Sequence, residues 1–357
     1  MRVTVFRLMK TGVMRSFVLQ VLSYLYNSGE VTLVADRGAS TEFVKESDVF
    51  RIERPHLSPI SLAKYIKDLR TFKKLVGKNK NDEVALFLNY SPLNMPLFKI
   101  MKRRHRIVYI HDPRPHSDMK KLRKYIYDFE LKTYVNESDI IIVSSKAMQD
   151  ILLEDYPAAS NKTTVINLGT NEDHKWIGPK LNRTIDVLFY GAFNSYKGVD
   201  ILVDAAEMLE GEAEITIVGK DDLLASCQNR DSLPENCNRI NRYVSDSELA
   251  ELLASSKCVV VPYRDATSTH VISSAFENGT PVIGTNVGSL SEYIDPGVAG
   301  IVVPPDDPIA LANAIRLFLN NEDMRVSLSE GAIARSDTYF SNERNNQIYM
   351  RLVRGVM

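Results

Sequence analysis

Between Arg264 and His270 the chain gathers a guanidinium, the carboxylate of Asp265, the hydroxyls of Thr267, Ser268 and Thr269, and an imidazole. The residues before this loop, 258–262, are a short β-branched run of the kind that a parallel sheet covers on both faces. Those after it, 271–276, are apolar and read as the start of a helix. Hydroxyls and backbone N–H groups therefore collect at a helix N-terminus directly behind a strand. Phosphate suits that place, because both the N–H groups and the helix dipole favour negative charge there. Gly279, Thr280 and Pro281 end the helix, 281–285 is the next buried strand, and Gly288 lets the following turn approach whatever lies at the strand ends.

Two further stretches place reactive side chains after strands. Residues 106–112 form an apolar strand that delivers His111 and Asp112, followed by Pro113, Arg114, Pro115 and His116. Ligands of open α/β sheets bind at such carboxyl ends. A hydrogen-bonded core histidine and a turn-capping aspartate explain the same pair, and the residues alone leave both readings open. Residues 189–198 run from a strand into a helix with Lys197 just ahead of it; taken alone, this lysine is a solvated surface charge.

These loops need sheets to hold them. With 357 residues, 44% apolar and 25% charged, the chain is long enough for two globular domains with separate cores. Strands at 3–6, 31–36, 84–89, 106–112, 138–145 and 164–169 alternate with helices, and after the polar stretch 171–183 the alternation resumes. The expected fold class is α/β, with two doubly wound Rossmann-like domains. The first spans 1–172, the linker 173–183 and the second 184–339, with a last helix, 340–357, packing back on the first. Ser245 and Glu248 have the spacing of a capping box. There is no Gly-x-Gly-x-x-Gly and no Walker lysine, which argues against a dinucleotide oxidoreductase or a P-loop enzyme. No paired aspartates stand at a strand end as a metal-dependent sugar transferase would have them, and no zinc spacing occurs, so no metal and no cofactor is expected.

Cys227, Cys237 and Cys258 are read as structural thiols of a reduced cytoplasm. No leader-type or membrane-spanning run is expected. The net charge of −1 hides an asymmetry: residues 1–170 carry 28 Lys and Arg against 18 Asp and Glu, residues 171–357 carry 16 against 27, giving +10 and −11. A basic half invites an anionic surface. Residues 61–76 place Leu62, Ile66, Leu69, Phe72 and Val76 at helical spacing among Lys64, Lys67, Arg70, Lys73 and Lys74, and basic clusters recur at 101–106 and 120–124. The apolar stripe reads either as core or as an anchor on an anionic membrane.

The stretch 258–294 resembles the donor-binding segment of the retaining glycosyltransferases of family 4 (group 1), which have the GT-B fold of two Rossmann-like domains facing a cleft. That family shows Glu-x7-Glu, then Ala-x-x-x-Gly-x-Pro-Val-Ile and a Gly-Gly-x-x-Glu turn. Here Ala275, Gly279, Pro281, Val282, Ile283, Gly288 and Glu292 match, whereas Ala266 and Ser274 stand where the two glutamates do. The run from Ala266 to Val271 is similar to the hydroxyl-rich variant found in bacterial polysaccharide transferases. The resemblance implies donor contacts from Ser268, Thr269, His270 and Val271, and from Ser274 at the place of the ribose-binding glutamate. It aligns Lys197 with the lysine that binds the donor diphosphate, in a loop where Gly191 is kept but Ala192 and Asn194 occupy the places open to its usual arginine partner. It sets the nucleobase against Gly219, Lys220, Arg242, Tyr243 and Val244, brings His111 to the donor sugar with Asp112 in an auxiliary role, and gives Gly12 a place near the donor phosphates, where an ordinary helix-start glycine fits equally well.

The expected activity is transfer of a sugar from a nucleotide-diphosphate donor, UDP or GDP, to a lipid-linked or polysaccharide acceptor, by a cytoplasmic protein peripherally attached to the inner face of the membrane through its basic domain. No nucleic-acid partner is expected. Two alternatives stay open: a non-catalytic GT-B partner of an active transferase, since both glutamates and the arginine are replaced, and a nucleotide-sugar epimerase on the same fold.

Overall fold

The computed structural model describes residues 2–7, 21, 25, 30–37, 44–53, 58–78, 83–88, 94–114, 121–170, 172–178, 181–220, 223–227, 230, 232–266 and 269–355. Two compact units result, Met1–Asn167 with Asn342–Met357, and Leu168–Ser341.

In the first unit β1 (Arg2–Arg7), β2 (Glu30–Asp36), β3 (Val49–Ile52), β4 (Glu83–Phe87), β5 (His105–Ile110), β6 (Ile140–Val143) and β7 (Thr163–Val165) form one sheet in the order β3-β2-β1-β4-β5-β6-β7. Every pairing is parallel. All four residues of β6 are buried, as an apolar run covered on both faces must be. Phe6 stacks on Phe87 with centroids 4.1 Å apart, and Phe98 packs edge-on to Tyr134 at 4.6 Å, so rings fill one side of the sheet. The helix Pro59–Lys78 corrects the stripe read from its sequence: Tyr65 and Phe72 are buried, but Leu62 and Ile66 are 50% and 41% exposed. Asp68 sets that rotation, because its buried carboxylate accepts two bonds from Arg37, both 3.0 Å, and the Glu53 N–H at 2.8 Å, which turns its own face inward. The terminal helix Asn342–Val353 belongs to this unit, where Asn345 donates to Asn167 Oδ1 at 2.9 Å.

In the second unit β8 (Ile185–Tyr190), β9 (Ile215–Val218), β10 (Cys237–Ile240), β11 (Ser256–Val261), β12 (Val282–Thr285) and β13 (Gly300–Val303) form a parallel sheet in the order β10-β9-β8-β11-β12-β13. Strand order reverses between β8 and β11, the place where open α/β sheets bind ligands. Ser245 caps the helix Asp246–Ala254, accepting the Glu248 N–H at 3.1 Å. The stretch read as a linker lies within this unit. Asn278 accepts the Trp176 N–H at 2.9 Å and donates to His174 O at 2.7 Å, while Arg183 donates to the carbonyls of Asn278 and Gly279 at 3.1 and 2.7 Å. Those carbonyls end the helix His270–Glu277, so Arg183 supplies donors that the helix itself lacks. Among the described residues no helix is long and apolar enough to cross a membrane.

Candidate functional site

At the reversal point β8 runs out into Gly191, and a loop leads through a short turn, Ser195–Lys197, to the helix Val199–Glu207. The turn folds the lysine back over the strand end: Lys197 Nζ lies 2.7 Å from where a Cβ on Gly191 would be. The same ammonium sits 5.6 Å from the ring centre of the buried Tyr263. Gly198 makes this possible, since it adopts φ 62° and a Cβ there would stand 2.0 Å from Pro262 O. Asn194 is exposed and only its carbonyl takes part in the turn, accepting the Lys197 N–H at 2.9 Å.

Arg264 is the residue whose part the sequence hides. Its backbone N–H reaches Tyr196 O at 2.7 Å and its side chain reaches Ser195 O at 2.9 Å, Asp200 at 2.8 and 2.7 Å, and Asp306 at 2.6 Å. The Asp200 bonds first, and the Asp306 bond with them, hold the guanidinium charged. In the fold it ties the end of β11 to the turn that aims Lys197. Its partners lie 64 and 42 positions away, beyond any local pattern.

On the other side of the reversal point Thr269 caps the helix His270–Glu277, accepting the Val271 N–H at 3.2 Å, and both Thr269 and His270 are buried. Part of this N-terminus is thus satisfied from within. Tyr190 reaches the same helix, donating to Val271 O at 3.4 Å, and burial pushes its phenol pKa up. Ser274 has no exposed surface; its hydroxyl lies 2.9 Å from His174 Nδ1, whose Nε2 is 3.4 Å from Asp246. Burial holds His174 below its ordinary pKa against the pull of Asp246. A neutral ring with its Nε2 proton toward Asp246 leaves Nδ1 to accept from Ser274. Ser274, His174 and Asp246 thus form one internal chain of contacts. Ala266 is buried as well. Glu292, from the matched turn, accepts from Tyr339 at 2.6 Å and so fastens the helix Glu322–Thr338.

The ends of β9 and β10 bring their residues together. Gly219 follows β9 so closely against Gly191 that a Cβ would come 2.4 Å from the Gly191 carbonyl. Lys220 Nζ lies 5.3 Å over the Tyr243 ring, which is 78% exposed, giving an open aromatic face beside a cation. Arg242 is committed to Glu248, donating to both carboxylate oxygens, and this pairing raises its pKa. Val244 is half-buried between them and the helix that follows. In the first unit, His111 and Asp112 leave β5 together, His111 Nε2 4.0 Å from Asp112 Oδ1, and Tyr127 donates to the Asp112 carbonyl. Gly12 and Ser268 lie outside the described residues.

Residues 14–174 match the model of Glycosyltransferase Family 4, and residues 170–335 match that of the Glycosyl transferases group 1. The chain belongs to these glycosyltransferases. Its two sheets have the GT-B architecture, shared over 99% of the chain with sucrose-phosphate synthase of Thermosynechococcus elongatus (TM-score 0.78, 18% identity, 98% of that chain). HepE of Anabaena, solved in complex with UDP, superposes over 99% of this chain and 100% of its own (TM-score 0.77, 16% identity). Among curated proteins, an uncharacterized glycosyltransferase of Methanocaldococcus jannaschii is 28% identical over 77% of this chain and 76% of its own length. The O-antigen chain mannosyltransferase C of Escherichia coli is 26% identical over 66% and 67%. The match spans about half, 54%, of a D-inositol 3-phosphate glycosyltransferase of Xylanimonas cellulosilytica, at 26% identity over 57% of this chain.

Proposed function

We propose that this family member transfers a sugar, with retention, from a nucleotide-diphosphate donor to a lipid-linked or polysaccharide acceptor, and that the second unit holds the donor. The carrying observation is the Lys197 ammonium folded over Gly191 at the reversal of strand order. A diphosphate leaving group gathers charge as the glycosidic bond breaks. A fixed cation and a helix N-terminus stabilise that charge without reorganising. Gly191 makes room for the Lys197 ammonium, Gly219 lets the next strand end pack against Gly191, and the open face of Tyr243 beside Lys220 offers a place to stack a base. Arg264 acts on the reaction by positioning Lys197.

In the same reading the acceptor attacks on the face that the leaving group departs from, and a leaving phosphate oxygen takes its proton, so no carboxylate nucleophile is needed. His111, with Asp112 beside it, contacts the transferred sugar. Thr269 and His270 border the phosphate site, and Ser274, bonded to His174, lies behind them. The UDP and UDP-glucose complexes of HepE support a nucleotide-sugar donor, and the O-antigen transferase supports a polysaccharide acceptor. UDP and GDP both fit the proposal, and the basic first unit meets an anionic membrane.

One observation favours a second reading. Both positions where the family has glutamate are buried, Ala266 without a polar group and Ser274 bound internally, as in a GT-B partner that binds a donor but does not turn it over. Titrating uridine, guanosine and adenosine diphosphate sugars, with hydrolysis followed in the same samples, decides. Binding with slow hydrolysis supports transfer; binding with none supports the partner reading; no binding to any rejects the donor site.

A further inference from the structure

The helix Lys121–Glu137 carries two apolar faces. One is the core face, where Leu131, Tyr134 and Val135 are buried. The other stands in solvent: Leu122, Tyr125, Ile126 and Phe129 are 75%, 74%, 43% and 64% exposed. Their spacing is i, i+3, i+4 and i+7, one unbroken stripe centred roughly 180° around the helix from the core face. Scattered exposed apolar residues are ordinary, whereas four large ones in register, two of them aromatic, mark a surface that something covers. The exposed apolar residues of the helix Pro59–Lys78, which are Ile60, Leu62, Ile66 and Leu75, fall instead on two opposite sides of it.

The border of the stripe names the partner. Lys121 and Lys132 line one side, with Asp128 beside them, and Arg123 lies on the other; all are exposed. They belong to a stretch, residues 1–170, with 28 basic against 18 acidic side chains. We propose that this stripe lies in the interface of an anionic lipid bilayer, with the helix parallel to the surface, its leucine and rings among the acyl chains and its lysines reaching up to lipid phosphates. A second copy seated on the stripe would bring two basic borders together, a like-charge contact that opposes pairing. The inference rests on the lipid-linked acceptor reading and deepens it, moving the contact from the lysines of 61–76 to this helix.

Flotation of the full chain with vesicles of phosphatidylcholine mixed with phosphatidylglycerol, and with phosphatidylcholine alone, tests it. The wild type should float with the mixed vesicles. The combined Leu122→Ser, Tyr125→Ser and Phe129→Ser variant should partition at least about tenfold less, with an unchanged melting temperature because none of the three side chains is in the core. Phe129→Trp in a Trp176→Phe background gives a chain with one tryptophan at the stripe, since Trp176 is the only native one. Its emission should shift to the blue on adding mixed vesicles. Unchanged flotation of the serine variant, with flotation lost in Lys67→Glu, Lys73→Glu and Lys74→Glu combined, would leave the membrane reading standing and overturn the stripe as its contact. A wild type that ignores vesicles yet binds nucleotide sugar would overturn the proposal and spare the donor site. A dimer that the serine variant dissolves would assign the stripe to a second copy instead.

Discussion

The two units are built on the same plan, parallel strands running 3-2-1-4-5-6 across the sheet, and they differ in what each does with charge. The second unit, in the acidic half, spends its carboxylates on internal positioning: Asp200 and Asp306 hold Arg264, Glu248 holds Arg242, and Asp246 faces His174. Lys197 is thereby set into a surrounding of fixed side chains at the reversal point. The first unit also fixes some charge, Asp68 with Arg37 and Glu137 with Arg106, but its basic excess lies on helices whose outer faces are partly apolar. In the proposed reading a parallel sheet serves one unit as a scaffold for a small anion site and the other as a platform for a surface. Fixed, short bonds to a cation make a site, whereas solvated cations in excess make a face.

The largest effect that would break this comparison is loss of the fixed cation. Lys197→Ala should lower turnover by roughly 10²–10³, the scale of one preorganised electrostatic contact. Lys197→Arg should rescue it only partly, because a planar guanidinium does not reproduce a compact charge. The melting temperature of both should stay near wild type. Arg264→Ala should act differently, costing about 2 kcal/mol of stability because Asp200 loses a bidentate partner, and lowering turnover about tenfold through the misplaced turn. A calorimetric scan beside steady-state rates separates the two variants.

The units should also respond to pH in opposite directions. Glu130, on the core side of its helix in the first unit, is raised by burial from 4.5 to about 7. Its folded form holds the proton more tightly than the unfolded chain, so its contribution favours folding below about pH 4.5 and is lost as pH rises to 7. Glu130→Gln should gain roughly 1–2 kcal/mol above pH 7, less than the full linkage because the carboxyl edge meets solvent. His174, in the second unit, is lowered by burial. The unfolded chain binds the proton more readily, so its contribution is present above its ordinary value of 6.5 and lost as pH falls below it. Urea midpoints against pH for wild type, Glu130→Gln and His174→Gln would show both slopes. The smallest effect is at the cap: Thr269→Ala should cost about 1 kcal/mol, since its hydroxyl closes the helix, so any loss of donor affinity there must be read against a loss of fold.

Much of the fold was legible because buried strands declare themselves. The runs at 140–143 and 258–261 are wholly apolar and β-branched, and both are buried strands. β3 was missed: Val49–Ile52 includes Arg51 and is only partly buried at the sheet edge, so it has neither alternation nor a continuous apolar run. The helix Lys121–Glu137 showed only its basic cluster, since apolar residues on two faces erase the single stripe that periodicity detects. At the site, the glycines and Lys197 could be aligned by local motif. Arg264 with Asp200, and Ser274 with His174 100 positions away, could not, because those bonds are made only once the sheet has formed. The bond from Ser274 to His174 is one that the local motif could not show.

The central claim is that the donor diphosphate rests against Lys197 at the end of β8. A crystal structure of the wild-type chain soaked with UDP-glucose, and in parallel with a GDP sugar, tests it most directly. The account predicts phosphate oxygens within hydrogen-bonding distance of Lys197 Nζ, the backbone of Gly191 and Gly219 alongside, and the base against Tyr243. A nucleotide bound with its phosphates away from Lys197 would contradict it.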